Sequence, residues 1–562
     1  MTDQPPLLAA EAYLSAMTDF GVETIYAVSG TDFPSIAEAY GRADLRGHKL
    51  PQALVCPHEN LAVAMAHGHA LVTGRPQAAM VHVSVGTSNM VCGAMNALRD
   101  QVPVLLTAGR TPVSESPDVP GSRSRFIHWA QEMFDQASQL REGVKWDYEL
   151  RRGDQAVDAL SRAIEVAMAP PPGPVYLSLP REVLAEEIAP GGRRRRPTPA
   201  SAPAADANAI DRLADALRGA DLPLVITTNL GRDPAAVAEL EHLARDWAIP
   251  VITFNPRSMC FPADHPMHLG YEPAELLGAA DVIVTIACDV PWVPKTGAPN
   301  PDARHWQIGL DPLFVAYPMR SFPSEGAITA SPVSALAALR AAMGSGTQGG
   351  SRLSDRAHRL VGTRTKRVAA LDAAGAGPDL TAASASRALA RHLPADAVII
   401  NEYSFQMAQA RLTRPDSFHG LSAAGGLGWG FGAALGIKNA GTPGPVVVML
   451  GDGAYLFNNP SACHWAAAAH GLPVLAVIFN NKRWGAVRSS TLAMYPQGAS
   501  AASDGMFLAD LSPSVDHAAL ARAHGAAAWD VRTLGDIPAA LDGALSAMAA
   551  GQHALIALDL PS

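Results

Sequence analysis

The sequence predicts three tandem α/β domains, each a doubly wound parallel sheet covered by helices on both faces. Three observations carry this. The chain has 562 residues, too many for one core when domains typically hold about 100–200. Short continuous apolar runs alternate with helical patterns along the whole length. Two stretches have linker composition. One is EEIAPGGRRRRPTPASAPAADAN, from about 186 to 208, and the other is GSGTQGGSR, 344 to 352. They leave domains at 1–185, 205–343 and 375–562, joined by linkers over about 186–204 and 344–374.

The elements follow in order. In the first domain ETIYAVSG, QALVCPH, AAMVHVSVG and VPVLLTAG read as buried strands. ENLAVAMAHGHALVTG and NMVCGAMNALRD read as helices between them. The central domain, Rossmann-like in pattern, has strands LPLVITTN, IPVITFN and ADVIVTIA around helices such as AAVAELEHLARDWA. The last domain has strands AVIINE, GPVVVMLG, LPVLAVIFNN and HALIALDL.

Composition narrows the function. Apolar residues make up 48% and charged residues 17%, which describes well-buried globular domains. A net charge of −9 argues against a nucleic-acid partner. The run Arg193–Arg196 reads as a solvated linker, because no aromatic residue is interleaved and the flanks are Pro-rich. Cys56, Cys92, Cys260, Cys288 and Cys463 have neither metal-ligand nor redox spacing, so buried reduced thiols are expected. The N-terminus lacks a basic n-region, and no run of about 18 or more purely apolar residues occurs. The expectation is a soluble cytoplasmic protein acting on a small molecule, with neither membrane nor nucleic acid as partner.

The most informative stretch is LGDGAYLFNNPSACHWAAAAHGLPVLAVIFNN, 450 to 481. PVVVML is a strand and GDG turns off its C-terminal end. Pro460 begins a helix where its missing N–H costs nothing, and Gly471 ends it. LPVLAVIF is the next strand, with Asn480 and Asn481 at its end. In such sheets ligands bind beyond the C-terminal strand ends. A carboxylate with an amide oxygen suits Mg²⁺, which completes its octahedron with water and substrate phosphates. Gly451 and Gly453 would let backbone approach a diphosphate. Two other readings stand beside this one. Asp452 could cap the helix while the asparagines make a turn. Or GGLGWGFGAALG (425–436) could be a dinucleotide fingerprint, although PDSFHGLSAA before it is a poor buried strand.

GDG followed after 26 residues by NN resembles the cofactor motif of thiamine-diphosphate (ThDP) enzymes. PPPGPVYLSLPRE (170–182) and HPMHLGYEP (265–273) are similar to phrases of the acetolactate synthase, benzoylformate decarboxylase and pyruvate decarboxylase superfamily. The resemblance covers nearly the whole chain. It implies a ThDP-binding fold in the first and last domains: a pyrimidine-binding domain, a central domain and a diphosphate-binding domain. It implies that Asp452 and Asn481 bind Mg²⁺ by side chain and Arg483 by its carbonyl. Gly426, Leu427, Gly451 and Gly453 would contact the cofactor, with Leu427 propping its bent form. AYLFNNP carries residues beyond the commonest spacing, which leaves the first turn of the following helix open.

The same resemblance places Glu59, at the start of a predicted helix, as the carboxylate that activates the aminopyrimidine. Otherwise it is a first-turn acid favoured by the helix dipole. His82, four residues before Gly86, and Thr31, in SGTDFPSI, are candidates for proton transfer or carboxylate binding. His82 could instead be a satisfied core histidine on a strand. His128 and Gln131, in RSRFIHWAQEMFDQ, lie where relatives carry cofactor-facing residues. The chain lacks the adjacent histidine pair of pyruvate decarboxylases. Trp484 and Met494 are candidate channel residues. TTNLGR (227–232) lacks a glycine cluster, so FAD is not expected. The implied reaction is decarboxylation of a 2-oxo acid to an enamine, which is protonated to an aldehyde or condensed to a 2-hydroxy ketone. Acetolactate synthase-type condensation, or cleavage of a 2-hydroxy ketone, 2-hydroxyacyl thioester or cyclic diketone, are the alternatives. The family architecture implies a homodimer or homotetramer with active sites between subunits.

Overall fold

A computed structural model describes residues 7–189, 196–346, 350–503 and 506–561. It contains three parallel sheets in succession. The first holds β2 (Thr24–Ala27), β3 (Gln52–Val55), β4 (Gln77–Val81), β5 (Val104–Arg110), β6 (Asp147–Glu149) and β7 (Val175–Pro180), in the order β3-β2-β4-β5-β7-β6. A short antiparallel ribbon of β1 (Leu7–Leu8) and β8 (Glu187–Ile188) ties off its ends. The central sheet holds β9 (Pro223–Thr227), β10 (Val251–Thr253), β11 (Val282–Ile286), β12 (Arg304–Gly309) and β13 (Gly326–Thr329), ordered β10-β9-β11-β12-β13. The last holds β14 (Val398–Glu402), β15 (Phe418–Gly420), β16 (Val446–Gly451), β17 (Leu475–Asn480), β18 (Ala527–Val531) and β19 (Ala554–Asp559), ordered β15-β14-β16-β17-β19-β18. The first and last sheets therefore share one topology.

The continuous apolar runs mark strands buried on both faces. In the last sheet Val398, Ile400, Val446, Val448 and Leu450 join a core shared with the Glu59–Thr73 helix of the first domain. Ile399, Val447 and Met449 alternate with them and face a core that continues into the central domain. The period of two sends alternate side chains to opposite faces.

Three local readings are corrected. AAMVHVSVG is not one strand: β4 ends at Val81, and Val83–Arg99 is a helix. The apolar run straddles a sharp turn in which Val83 has φ 32°, so His82 stands past the strand end. The residues expected as the second linker include the Gly350–Gly375 helix. It is anchored where the buried Arg356 donates to the carbonyls of Ala220 and Trp247 at 2.7 and 2.6 Å. The Gly/Ser stretch hid a polar helix whose buried contacts are few. Cys92 is exposed on its helix, whereas the other four cysteines are buried. Of the arginine run, Arg193–Arg195 lie outside the described residues. Among the described residues no helix is long and apolar enough to cross a membrane.

Buried histidines make the fold acid-sensitive. Burial holds His67, His268 and His464 down to about 3 and His419 and His553 down to about 4. All five are nearly inaccessible. They stay neutral in the fold, while the unfolded chain protonates them near 6.5. Each contribution is complete above about pH 6.5 and declines by up to about 1.4 kcal/mol per pH unit as pH falls towards the folded value. Glu402 and Asp100, pushed up by burial to about 7 and about 6, act in the opposite sense, but they are two against these five together with His69 and His265, which burial also holds down to about 4. Scanning fluorimetry should find a level Tm from pH 8 to 7 and a steep fall below about pH 6. A Tm that holds to about pH 5 would contradict this.

Candidate active site

Two crevices are dictated by topology. In the first sheet the chain starts at β2, adds β3 on one side and returns to add β4 on the other. In the last sheet β14, β15 and β16 repeat this. Strand order reverses between β2 and β4 and between β14 and β16, and ligands bind outside the carboxyl ends at such points. The first crevice holds Thr31, Asp32 and His82. The second holds Tyr403, Ser404 and Asp452.

Asp452 is 5% exposed and opens a short helix, Asp452–Phe457. Burial raises its carboxyl, opposed by N–H donation from Gly453, Lys482 and Arg483. It therefore ties the end of β16 to the turn after β17, where Asn481 Oδ1 accepts from Arg483 N at 3.1 Å. The residues AYLFNN form the short helix and its exit, and Pro460 starts the next one. A carboxylate and an amide oxygen are hard donors that fit Mg²⁺. Among the described residues no three His, Cys, Asp or Glu side chains gather as a metal site, so a cation here would complete its shell with backbone, water or ligand oxygens. Gly451 leaves space beside Ser404, and the Trp484 ring lies over Gly453. Phe457 meets Trp484 edge-on at 5.6 Å. Met494 is 63% exposed.

Between the crevices runs the loop Gly425–Gly430. Glu402, fully buried at the end of β14, accepts from Gly428 N and Gly430 N at 2.6 and 2.5 Å and from Asn458 Nδ2 at 3.0 Å. From the first domain Asn60 donates to the Gly428 carbonyl at 2.8 Å. Asn96 donates to the Gly426 carbonyl at 2.8 Å and accepts from Gly426 N at 3.1 Å. Leu427 packs against the shared core between these clamps. The loop leads into the Gly430–Asn439 helix, which crosses the Glu59–Thr73 helix through Gly68, Gly432 and Gly436. The crossing brings the start of the Glu59 helix beside the glycine loop.

Glu59 Oε2 accepts from Asn89 Nδ2 at 3.0 Å. His82 Nδ1 lies 2.5 Å from Asp32 Oδ1, and Asp32 Oδ2 accepts from Val83 N at 3.3 Å. The hydrogen bond to Asp32 raises His82, against burial and with help from the Asp32, Gln131 and Glu59 surroundings. Gln131 Nε2 is 3.4 Å from His82 Nε2. His128 is buried and accepts from Ser124 N at 3.2 Å. Its imidazole is held low by burial, then by Arg181, Arg123, His82 and Arg125. The Thr31 hydroxyl is buried without a protein partner among the described residues. The structure thus brings Glu59, His82, Gln131, His128 and Thr31 to one end of the first sheet. Sequence reasoning missed Asp32, Asn60, Asn89, Asn96 and Glu402. Glu402 was findable, since a carboxylate ending an apolar strand is the signal that marked Asp452. The asparagines sit inside helical patterns and carry no such signal.

Comparison with known proteins gives three matches along the chain. The family model of the N-terminal TPP binding domain of thiamine pyrophosphate enzymes matches residues 8–139, the central-domain model 210–327 and the C-terminal TPP binding domain model 400–557. A sulfoacetaldehyde acetyltransferase of Rhodobacter capsulatus is 24% identical over 97% of this chain and 93% of its own length. A benzoylformate decarboxylase of Pseudomonas aeruginosa is 28% identical over 87% and 89%. The crystal structure of benzoylformate decarboxylase from Polynucleobacter necessarius superposes with a TM-score of 0.79 at 20% identity, covering 99% of each chain.

Proposed function

The chain belongs to the thiamine-diphosphate-dependent enzymes, and we propose that within them it is a Mg²⁺-dependent 2-oxo acid decarboxylase with carboligase activity. The observation that carries this reading is a histidine, His82, whose Nδ1 is engaged by a buried carboxylate, whose Nε2 lies 3.4 Å from Gln131, and whose charged form Glu59 also favours. Such a group delivers a proton to carbon, the step that separates aldehyde release from condensation.

Thiamine diphosphate, when bound, supplies the nucleophilic carbon and the electron sink for loss of CO₂. The chain's residues do the rest. Asp452, Asn481 and the Arg483 carbonyl would hold Mg²⁺ and, through it, the diphosphate. Gly451 and Gly453 would present backbone to the diphosphate, the space a Cβ would take at Gly453 being filled by the Trp484 ring. Leu427, fixed by the Asn60, Asn96 and Glu402 clamps, would prop the cofactor. Glu59, oriented by Asn89, would hold the aminopyrimidine through its carboxylate. His82 Nε2 would donate the proton that releases the aldehyde, a contribution typically of about 10²–10⁴-fold. Thr31, Gln131 and His128 would orient the substrate carboxylate and carbonyl.

FAD has no part in this reading. At the central switch point, between β9 and β11, Arg257 pairs with Asp289 at 3.0 Å and Thr228 donates to Cys288 Sγ at 3.1 Å, and TTNLGR at the end of β9 carries a single glycine. A homodimer or homotetramer is proposed, because large apolar side chains stand out in this chain: Phe126, Phe134, Phe507 and Leu508 are each more than four-fifths exposed. The reading places the enzyme in the cytoplasm.

Acyl transfer or condensation is the second reading, favoured by the acetyltransferase likeness over 97% of the chain. Incubation with Mg²⁺, ThDP and a panel of aliphatic and aromatic 2-oxo acids, with and without aldehyde acceptors, separates the two. The expected products are CO₂ and an aldehyde, with His82→Asn shifting the mixture towards 2-hydroxy ketone. No CO₂ from any acid, with ThDP demonstrably bound, would sink the proposal and favour cleavage of a hydroxy ketone, acyl thioester or cyclic diketone.

A further inference from the structure

We propose that Asp32 is the positioning residue of His82: it fixes the ring and assigns its proton-bearing nitrogens. The inference rests on the reading of His82 as proton donor. Asp32 is 2% exposed and spends both oxygens on one turn, Oδ1 on His82 Nδ1 at 2.5 Å and Oδ2 on Val83 N at 3.3 Å. An acid so placed accepts from Nδ1–H, so the exchangeable proton is carried on Nε2. The His82 side chain is 17% exposed, and Nε2 faces Gln131.

The surrounding backbone is shaped around this pair. A Cβ on Gly30 would overlap the His82 ring, and a Cβ on Gly109, at the end of β5, would overlap the Asp32 carboxylate. Val83, a β-branched residue, has φ 32°. That is a costly conformation, held only where its surroundings over-determine it, and such positions cluster at active sites. His82 stands between the end of β4 and Val83, past the strand end.

The loop after β2 presents Asp32. The Glu59–Thr73 helix presents Glu59, a second negative group that also favours the cation. The Ile127–Ala130 turn presents His128, with Gln131 next to it. His128 is held low by burial and by arginines, so it stays neutral and does not oppose a charge on His82. Among the described residues the charged groups that act on His82 are the carboxylates of Asp32 and Glu59, while Arg181, Arg123 and Arg125 act on its neighbour His128.

The test uses the full-length holoenzyme labelled with ¹³C,¹⁵N-histidine, the His82 signals being assigned by loss in His82→Gln. The wild-type His82 midpoint should lie above the ordinary 6.5, with a proton on Nδ1 in the neutral form. Asp32→Asn, which keeps size and hydrogen bonding but removes the charge, should lower that midpoint by about one unit or more and blur the tautomer. It should reduce kcat by about 10–100-fold, the usual effect of losing a carboxylate partner, with little change in KM. The alkaline limb of the kcat profile should move to lower pH, because the acid form is then lost sooner. A midpoint and tautomer unchanged in Asp32→Asn would overturn the proposal. If that variant does not fold, a wild-type midpoint at or below 6.5 overturns it alone. Unchanged kcat in His82→Gln would remove the catalytic role of His82 while leaving the titration result standing, so the two failures are distinguishable.

Discussion

Glu59→Gln is expected to lower kcat/KM by about 10²–10⁴-fold while leaving Tm and oligomeric state unchanged. Glu59 occupies the first turn of the Glu59–Thr73 helix, whose N-cap is His58, accepting from Asn60 N at 3.1 Å. The helix therefore does not depend on Glu59 for its start. The carboxylate accepts from Asn89 Nδ2 at 3.0 Å, and glutamine can still accept that bond through its carbonyl oxygen. What the variant removes is a charged acceptor aimed at the crevice. Asn89→Ala should cost less, about tenfold, because it loosens the carboxylate without deleting it. ThDP affinity, followed by fluorescence quenching, should weaken modestly in Glu59→Gln. Turnover within about threefold of wild type, with ThDP bound, would strip Glu59 of its role and with it the proposed activation of the aminopyrimidine.

How much of this was legible beforehand follows a physical rule. The sheets were readable because strands buried on both faces are continuous apolar runs, and VVVML in 446–450 could hardly be anything else. Strand order was not readable. No local signal says that β2 lies beside β4 or that β14 lies beside β16, and that adjacency is what puts Asp32 against His82. The β4–α turn was misread because the apolar pattern continues through it, and only the left-handed backbone at Val83 shows where the strand ends. The asparagines that clamp the glycine loop were invisible for a related reason. Asn60 and Asn96 act across more than 300 residues of sequence, |i−j| being 368 and 330. By contrast Asp452 and Asn481 ride on neighbouring strand ends, with Gly451 opposite Phe479 in the ladder, and a βαβ reading places both.

Gly436→Val is expected to be the most damaging single change outside the site, and its smaller relative Gly436→Ala decides between two opposed effects. Helix propensity alone says that alanine in place of a mid-helix glycine stabilises by about 1 kcal/mol. Contact says the reverse. A Cβ on Gly436 would overlap the Met65 carbonyl oxygen and lie 2.7 Å from its carbon, and one on Gly68 would lie 2.6 Å from Ala433 Cα. These neighbours are backbone of the opposing helix and cannot rotate away. The helices must move apart, and overpacking of this kind costs about 1–3 kcal/mol or more. The contact term should win, so Gly436→Ala lowers Tm by several degrees and Gly436→Val disrupts the crossing. Because Asn60, on the Glu59–Thr73 helix, reaches Gly428 only while the two helices are close, ThDP affinity should fall together with Tm, and faster than in a core variant of the central domain with equal loss of Tm. Gly436→Ala with a raised Tm would show that propensity prevails and that the helices are not in backbone contact. Lost stability with wild-type ThDP affinity would show instead that the glycine loop holds its shape without the first domain's asparagines.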